Sequence, residues 1–453
     1  MFNKITLGNF KRFQNESVEL RRLNIIVGPN NSGKSSLLSA FRLICQTLDS
    51  FDDQVPLLLN GPLGDFGTYR DLVYKNHRGR PIELAFDIAL SGLKPTATPD
   101  TQSNLSVSLV FKYSQEDREI FAQSISIKCD GSPLIDLKYS LEGRRHEFRI
   151  VHFIPAPVSF GRLGMFNKNK VESAYAQFVE TFNSGPDSEV IRILARISHR
   201  LPNFMGKVDY LGPLRTPPSR TYLFSGERSK RIGIGGENLT SLLATKDRKK
   251  SREKGDEQSS RLHDRINTWL QQSEMAHSAS LASISDRHFE IRVKNFFTKE
   301  DQNIADVGYG HSQVLPFLAG GYALGPKSVY IAEQPELHLH PRAQAELGDF
   351  LLQMYEQETQ VLVETHSEHL ILRLQQHIAR GAIPHDEVRV FYVCNDRHKN
   401  DDLANGSNHE IIPIDFDTAG QFTRPWPRGF FPEKLEESKK LARARMSQLN
   451  LKL

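Results

Sequence analysis

The sequence predicts an α/β protein whose core is interrupted by an antiparallel β-lobe and a helical subdomain. An apolar run at residues 23–27 leads into a glycine-rich turn and then into a helical apolar pattern, as in a strand, loop and helix unit. Two further apolar runs, at residues 329–332 and 361–363, indicate buried strands. Between residues 81 and 153, short alternating runs separated by turn residues predict antiparallel strands.

The glycine-rich turn reads Gly-Pro-Asn-Asn-Ser-Gly-Lys-Ser over residues 28–35 and fits the phosphate-binding loop motif without a gap. Its glycines let backbone N–H groups face phosphate oxygens, and the following helix adds the positive end of its dipole. Lys34 is expected to reach the β- and γ-phosphates, and the Ser35 hydroxyl to bind Mg²⁺. A chance turn is the alternative. The predicted nucleotide-binding residues of this loop are Asn30, Asn31, Ser32, Gly33, Lys34, Ser35 and Ser36.

Composition limits the class of protein. A chain of 453 residues is too long for one ordinary core, so two or more lobes are expected. The formal net charge of +4 is compatible with nucleic acid without requiring it. Three widely separated cysteines indicate isolated thiols in a reducing compartment. Residues 1–13 lack the apolar segment of a secretory signal, and no run is long enough to span a bilayer, so we expect a cytoplasmic protein without membrane contact.

The predicted organisation has five parts. Residues 1–90 are expected to form the first part of the nucleotide-binding core, and the runs at residues 4–7 and 17–20 are expected to join the sheet that carries the phosphate loop. Residues 91–165 form the β-lobe, and residues 166–287 form a helical subdomain without a coiled-coil arm. The charge run at residues 246–254 is interpreted as a mobile solvated loop, with a nucleic-acid contact as the alternative. Residues 288–395 complete the core, and residues 396–453 form a small C-terminal domain.

Acidic and basic side chains outside the loop extend the predicted site. Glu333 ends a buried strand, where an acid can hold Mg²⁺ opposite a phosphate loop. His366 follows the next strand, at the edge where ligands bind, so it is expected to contact the γ-phosphate; a structural histidine is the alternative. His338, His340 and His366 lack an accepted zinc spacing. Lys11 or Arg12 is expected to fold over the nucleotide, although a solvated turn explains them equally well.

These motifs and their order resemble the ABC-type ATPase heads of the SMC, RecF and OLD group. The resemblance includes Asn-Phe-Lys at residues 9–11, and the segments at 210–215, 335–341 and 426–431 resemble a bacterial subfamily of stand-alone AAA-annotated ATPases. It implies an ABC-head type of P-loop core and a homodimer or higher oligomer in which two ATP molecules are sandwiched. Each ATP then contacts the signature turn of the other subunit, here residues 308–313, and His366 is the switch histidine. The implied signature residues are Gly308, Gly310, Ser312 and Gln313.

Two departures from the family pattern affect the expected chemistry. The signature normally has a serine before its glycine, whereas this chain has Tyr309 before Gly310, so Ser312 or backbone N–H groups are candidates for that role. The glutamate that normally activates water is replaced by Gln334, which can orient a water but cannot accept its proton. We therefore expect slow hydrolysis, with Glu336 or His366 as the proton acceptor.

The sequence leaves three functions open. The first is an ATP-dependent switch that acts on an effector or nuclease partner. By analogy with the bacterial subfamily that the sequence resembles, this switch is expected to act in genome or anti-phage defence. The second is a DNA-binding ATPase of RecF type, and the third is a metal-dependent nuclease that uses Asp415 and Asp417.

Overall fold

The computed structural model describes residues 1–50, 55–93, 101–140, 145–149, 187–223, 229, 231–250, 257–285, 287–394, 410–425 and 440. The strands are β1 (Phe2–Phe10), β2 (Phe13–Glu19), β3 (Leu23–Val27), β4 (Asn60–Gly61), β5 (Gly64–Asp65), β6 (Ile82–Ser91), β7 (Gln102–Ser114), β8 (Glu119–Cys129), β9 (Ser132–Ser140), β10 (Arg145–Arg149), β11 (Val208–Leu211), β12 (Tyr222–Leu223), β13 (Ala276–Ser283), β14 (His288–Asn295), β15 (Asp301–Asn303), β16 (Val329–Glu333), β17 (Gln360–Glu364), β18 (Val388–Val393) and β19 (Ile411–Ile414). The helices are α1 (Lys34–Asp49), α2 (Tyr69–Leu72), α3 (Asp187–Met205), α4 (Leu239–Lys250), α5 (Glu257–Gln272), α6 (Tyr309–Ala323), α7 (Pro341–Glu356) and α8 (Glu368–Ala379).

The central sheet has six strands in the order β11, β16, β17, β3, β18 and β19. Neighbouring strands run parallel except for β18 and β19. Strands β3, β16, β17 and β18 are buried at every position, because apolar clusters cover both faces of the sheet. Parallel strands end at one edge, so the residues that follow β3, β16 and β17 converge there. This architecture confirms the predicted α/β class.

A second sheet is antiparallel, with seven strands in the order β10, β9, β8, β7, β6, β1 and β2. The prediction that the first two strands join the sheet of the phosphate loop is wrong, because β1 pairs with β2 and β6. Their alternating burial is typical of strands with one covered face, whereas the phosphate-loop sheet takes fully buried strands. The predicted inserted lobe therefore shares its sheet with the N-terminal strands.

Helices and a small third sheet pack on the other side of the central sheet. In this third sheet, β14 lies between β12 and β13. The predicted helical segment is observed from Asp187 onward, and residues 171–186 lie outside the described residues. The prediction of a loop over the charge run is wrong for residues 246–250, which continue α4. Lysine and arginine are good helix formers, and the buried Leu239 and Leu242 anchor the start of this helix. Residues 251–256 lie outside the described residues.

The C-terminal region is described only in part. Strand β19 extends the central sheet, so this piece of the predicted C-terminal domain lies in the core. The motif at residues 426–431 lies outside the described residues. None of the described helices is long and apolar enough to cross a membrane.

Candidate nucleotide-binding site

The phosphate loop connects β3 to α1, as predicted. Its two glycines adopt positive φ angles, 147° at Gly28 and 103° at Gly33. A Cβ atom at Gly28 would collide with the Val393 carbonyl oxygen, and one at Gly33 would collide with the Arg12 side chain. Only glycine fits both positions, which explains the motif in this chain. Asn30, Asn31 and Ser35 are exposed, Ser32 is fully buried and Ser36 is half-buried.

Lys34 folds back over its own loop. Its Nζ donates to the carbonyl oxygens of Gly28 at 3.0 Å and Pro29 at 2.9 Å, and lies 3.6 Å from Glu364 Oε1. Burial lowers the pKa of Lys34, and the Glu364 carboxylate opposes this shift. The ammonium group therefore lies within the loop that is expected to hold phosphate.

Two carboxylates lie side by side at the ends of β16 and β17. Glu333 and Glu364 are partners in the parallel register. Glu333 Oε1 accepts a hydrogen bond from the Tyr210 hydroxyl at 2.7 Å and lies 3.6 Å from Arg42 Nη1, whereas Glu364 Oε2 accepts from the Ser35 hydroxyl at 3.0 Å. Burial, and then the Glu333 charge, raise the pKa of Glu364 to about 7.

Glu364 is a site residue that our sequence reasoning missed. The available signal was the same as for Glu333, an acid at the end of a buried strand beside the loop strand. Among the described residues, no direct hydrogen bond joins Ser35 to Glu333, the two predicted metal ligands. A serine hydroxyl and two carboxylates are the oxygen donors that Mg²⁺ prefers, so this set of residues fits the predicted ion.

Gln334 sits in a strained turn directly after Glu333. Its φ is 46°, and its backbone N–H donates to the Glu364 carbonyl oxygen at 2.7 Å. The buried Arg215 holds this turn from the other side, because its Nη2 donates to the carbonyl oxygens of Glu333 at 3.0 Å and Gln334 at 3.3 Å. These contacts with main-chain atoms fix the position of the Gln334 backbone, from which its side chain extends.

Glu336 and His366, the two candidate proton acceptors, are joined through the backbone. Glu336 Oε1 accepts from the His366 backbone N–H at 2.6 Å. Burial raises the pKa of Glu336, although the His366 N–H opposes the shift. Burial, and then Lys34, lower the pKa of His366, which favours a neutral ring at pH 7.

The predicted signature turn lies at the start of α6. Gly308 is exposed, and Tyr309 is 58% exposed. Ser312 and Gln313 are buried within their own subunit, and the Ser312 hydroxyl donates to the Tyr309 carbonyl oxygen at 2.8 Å. Gly310 is half-buried and packs close to the His338 carbonyl oxygen. Of the four predicted signature residues, Gly308 is therefore the most accessible to another molecule.

The turn between β1 and β2 places Arg12 across the phosphate loop. Arg12 Nη1 donates to the Asn31 carbonyl oxygen at 3.1 Å, and its Nε donates to Glu410 Oε2 at 3.0 Å. Lys11 instead directs its ammonium toward the Phe66 ring, 5.8 Å from the centroid. Burial, and then the Arg42 charge, lower the pKa of Lys11.

The remaining metal candidates are separate from this edge. Asp415 forms a two-pronged ion pair with Arg389, at 2.7 and 3.1 Å, and Asp417 accepts from backbone N–H groups of its own turn. His340 caps the start of α7. Across the described residues, no group of three or more histidine, cysteine, aspartate or glutamate side chains could hold a metal ion.

Comparison with known proteins adds one relative and several structures. Uncharacterized protein MJECL10 of Methanocaldococcus jannaschii is 31% identical over 118 residues, which are 24% of this chain and 53% of that protein, so the chain spans about half of its length. A structure of an SMC head bound to the C-winged helix domain of ScpA is 12% identical with a TM-score of 0.47, over 92% of this chain and 98% of that one. The SMC head domain of Thermotoga maritima is 12% identical with a TM-score of 0.38, over 87% and 95% of the chains. The Pyrococcus furiosus Smc head, bound to the C-terminal domain of ScpA, is 11% identical with a TM-score of 0.44, over 98% and 99%.

A family model supplies the identification. The model for the AAA ATPase domain matches residues 1–371, which include β3, the phosphate loop and both strand-end carboxylates. This match confirms the predicted resemblance to AAA-annotated ATPases. Because the match covers most of the 453 residues, the chain belongs to the AAA ATPase domain family.

Proposed function

We propose that this ATPase-family chain binds ATP with Mg²⁺, hydrolyses it slowly and uses the change to switch a partner protein. The observation that carries the proposal is one sheet edge, where the phosphate loop meets the Glu333 and Glu364 carboxylates. Bound Mg²⁺ would neutralise charge on the phosphate oxygens. Gln334 at the position after Glu333 supports slow turnover, because an amide cannot accept a proton from water.

Dimerisation around ATP is the second part of the proposal. The start of α6 is open to solvent at Gly308 and Tyr309, and a helix N-terminus offers unpaired backbone N–H groups to an anion. Because the Ser312 hydroxyl bonds within its own helix, we assign the contact with the partner's ATP to backbone N–H groups near Gly310.

The test is ATP hydrolysis at several protein concentrations, with molecular mass measured with and without ATP and Mg²⁺. Turnover per subunit should rise with concentration, and ATP with Mg²⁺ should double the mass. Tyr309→Asp should lower both effects while leaving ATP affinity unchanged, because it places a negative charge where the second subunit's ATP would lie; the loss in turnover should be about 10-fold.

Leu372→Asp is the matched control, since Leu372 on α8 is also exposed, at 49%. It should dimerise as the wild type does. Turnover that is independent of concentration, together with an unchanged mass in ATP, would contradict the composite site.

The output of the switch is proposed to be an effector or nuclease protein in the cytoplasm, with a role in genome or anti-phage defence. The chain has three cysteines, all of them buried and widely separated in the sequence, and this sparse use of cysteine supports a reducing compartment. The bacterial subfamily that the sequence resembles supports the defence role by analogy alone.

An exposed basic loop favours a second candidate function, DNA binding. Residues 75–80 read Lys-Asn-His-Arg-Gly-Arg, all exposed, and Arg70 is exposed beside them. Binding of duplex DNA, measured by fluorescence anisotropy between 50 and 200 mM salt, should weaken steeply if these groups contact phosphates, and Arg78→Ala should lower the salt slope by about 1. Arg380→Ala, an exposed arginine at the end of α8, is the control. Binding that is absent, or insensitive to Arg78, would exclude this loop as a DNA contact.

A further inference from the structure

Glu364 contacts the two loop residues that a nucleotide is expected to use. Its Oε2 accepts from the Ser35 hydroxyl at 3.0 Å, and its Oε1 lies 3.6 Å from Lys34 Nζ. Its side chain is only 6% exposed. The position follows from the strand order, because β17 lies between the loop strand β3 and the Glu333 strand β16. Glu364 is therefore the carboxylate that directly contacts the loop.

Charge balance distinguishes Glu364 from Glu333. Glu333 has Arg42 and the Tyr210 hydroxyl as partners, and neither belongs to the phosphate loop. Within the described part of the chain, Lys34 is the cation that pairs with Glu364. When Lys34 turns toward phosphate, the Glu364 carboxylate loses its cation while the Glu333 carboxylate still lies beside it. A buried carboxylate in that position either takes up a proton or gains a new cation, and the Mg²⁺ that accompanies ATP is such a cation.

We propose that Glu364 is a ligand of the divalent cation that enters with the nucleotide, and that it restrains Lys34 and Ser35 before the cation arrives. The proposal rests on the proposed nucleotide-binding function. Without the cation, Glu364 competes with the nucleotide phosphates for Lys34. With nucleotide and Mg²⁺, the same carboxylate oxygen that now accepts from Ser35 turns to the cation, and Ser35 joins it as a second oxygen ligand.

The test is equilibrium binding of a fluorescent, non-hydrolysable ATP analogue to the full chain, first in EDTA and then across a titration with Mg²⁺ or Mn²⁺. Glu364→Gln should raise the metal concentration needed for half-maximal effect by about 10-fold or more, as expected when a ligand of a metal site is lost. In EDTA the same variant should bind the analogue at least as tightly as wild type, because residue 364 no longer competes with phosphate for Lys34. The two opposite shifts together identify the proposed role.

Two further variants make the result unambiguous. Glu364→Asp keeps the charge and should retain most of the metal dependence. Glu346→Gln changes a carboxylate that is 12% exposed and paired with Arg373 on the α7 side, and it should behave as wild type. Circular dichroism and the melting temperature establish that each variant is folded.

The outcomes separate the inference from the proposed function. If wild type fails to bind the analogue with or without metal, the nucleotide site itself is wrong. If wild type binds and Glu364→Gln leaves the metal dependence unchanged, the inference is overturned while the nucleotide site stands. Equal weakening in EDTA and in Mg²⁺ also overturns it, since that pattern indicates a carboxylate that only shapes the loop.

Discussion

Lys34→Ala is expected to weaken the binding of Mg²⁺-ATP by about 100-fold and to abolish measurable hydrolysis. The lysine ammonium is buried in the loop, where it donates to the carbonyl oxygens of Gly28 and Pro29. Phosphate would replace these acceptors, and a charged hydrogen bond of this type contributes about 3 kcal/mol, or roughly two factors of ten in affinity. Equilibrium binding of a fluorescent ATP analogue and release of inorganic phosphate measure the two effects.

Lys207→Ala is the matched control, because Lys207 is exposed and precedes β11 outside the site. It should leave binding and hydrolysis unchanged. Since Lys34→Ala also removes the cation beside Glu364, its melting temperature without nucleotide has to be compared with that of wild type. Wild-type affinity in a folded Lys34→Ala protein would contradict the assignment of the phosphate loop.

Gln334→Glu is expected to raise the turnover of ATP by about 10- to 100-fold, because a carboxylate can accept the proton of the attacking water. The variant and the wild type can be compared directly, because the substitution should leave the backbone of the turn unchanged. The φ of 46° and the contacts of the turn with Glu364 and Arg215 involve main-chain atoms, which the substitution leaves in place. Single-turnover hydrolysis separates this chemical effect from changes in ATP binding or product release.

Gln334→Ala should do the opposite and lower turnover, since alanine can neither orient nor activate water. The added charge of Gln334→Glu lies near Glu333 and Glu364, so this variant should also unfold at a lower urea concentration than wild type in the absence of Mg²⁺. A turnover that stays equal or falls in Gln334→Glu, at full ATP binding, would show that Gln334 does not occupy the water-activating position.

Local sequence predicted the phosphate loop because its determinants lie within a few residues of one another. Strand β3, the two glycines and the start of α1 follow one another directly in the chain. Each glycine of the motif occupies a position where a Cβ atom would collide with a neighbouring residue. Glu333 was predicted for the same reason, as an acid at the end of a buried strand. The family match over residues 1–371 spans both of these segments.

The sequence by itself therefore determined the α/β class, the loop and the order of the motifs, whereas the tertiary structure decided which side chains meet. Ser35 and Glu364 are 329 residues apart in the chain, and they touch because β17 lies beside β3. The same dependence on strand order placed β1 and β2 in the antiparallel sheet and laid Arg12, rather than Lys11, across the loop. Hydrophobic periodicity reports whether a strand is buried on one face or on both, but pairing depends on contacts between distant segments, which only the folded chain brings together.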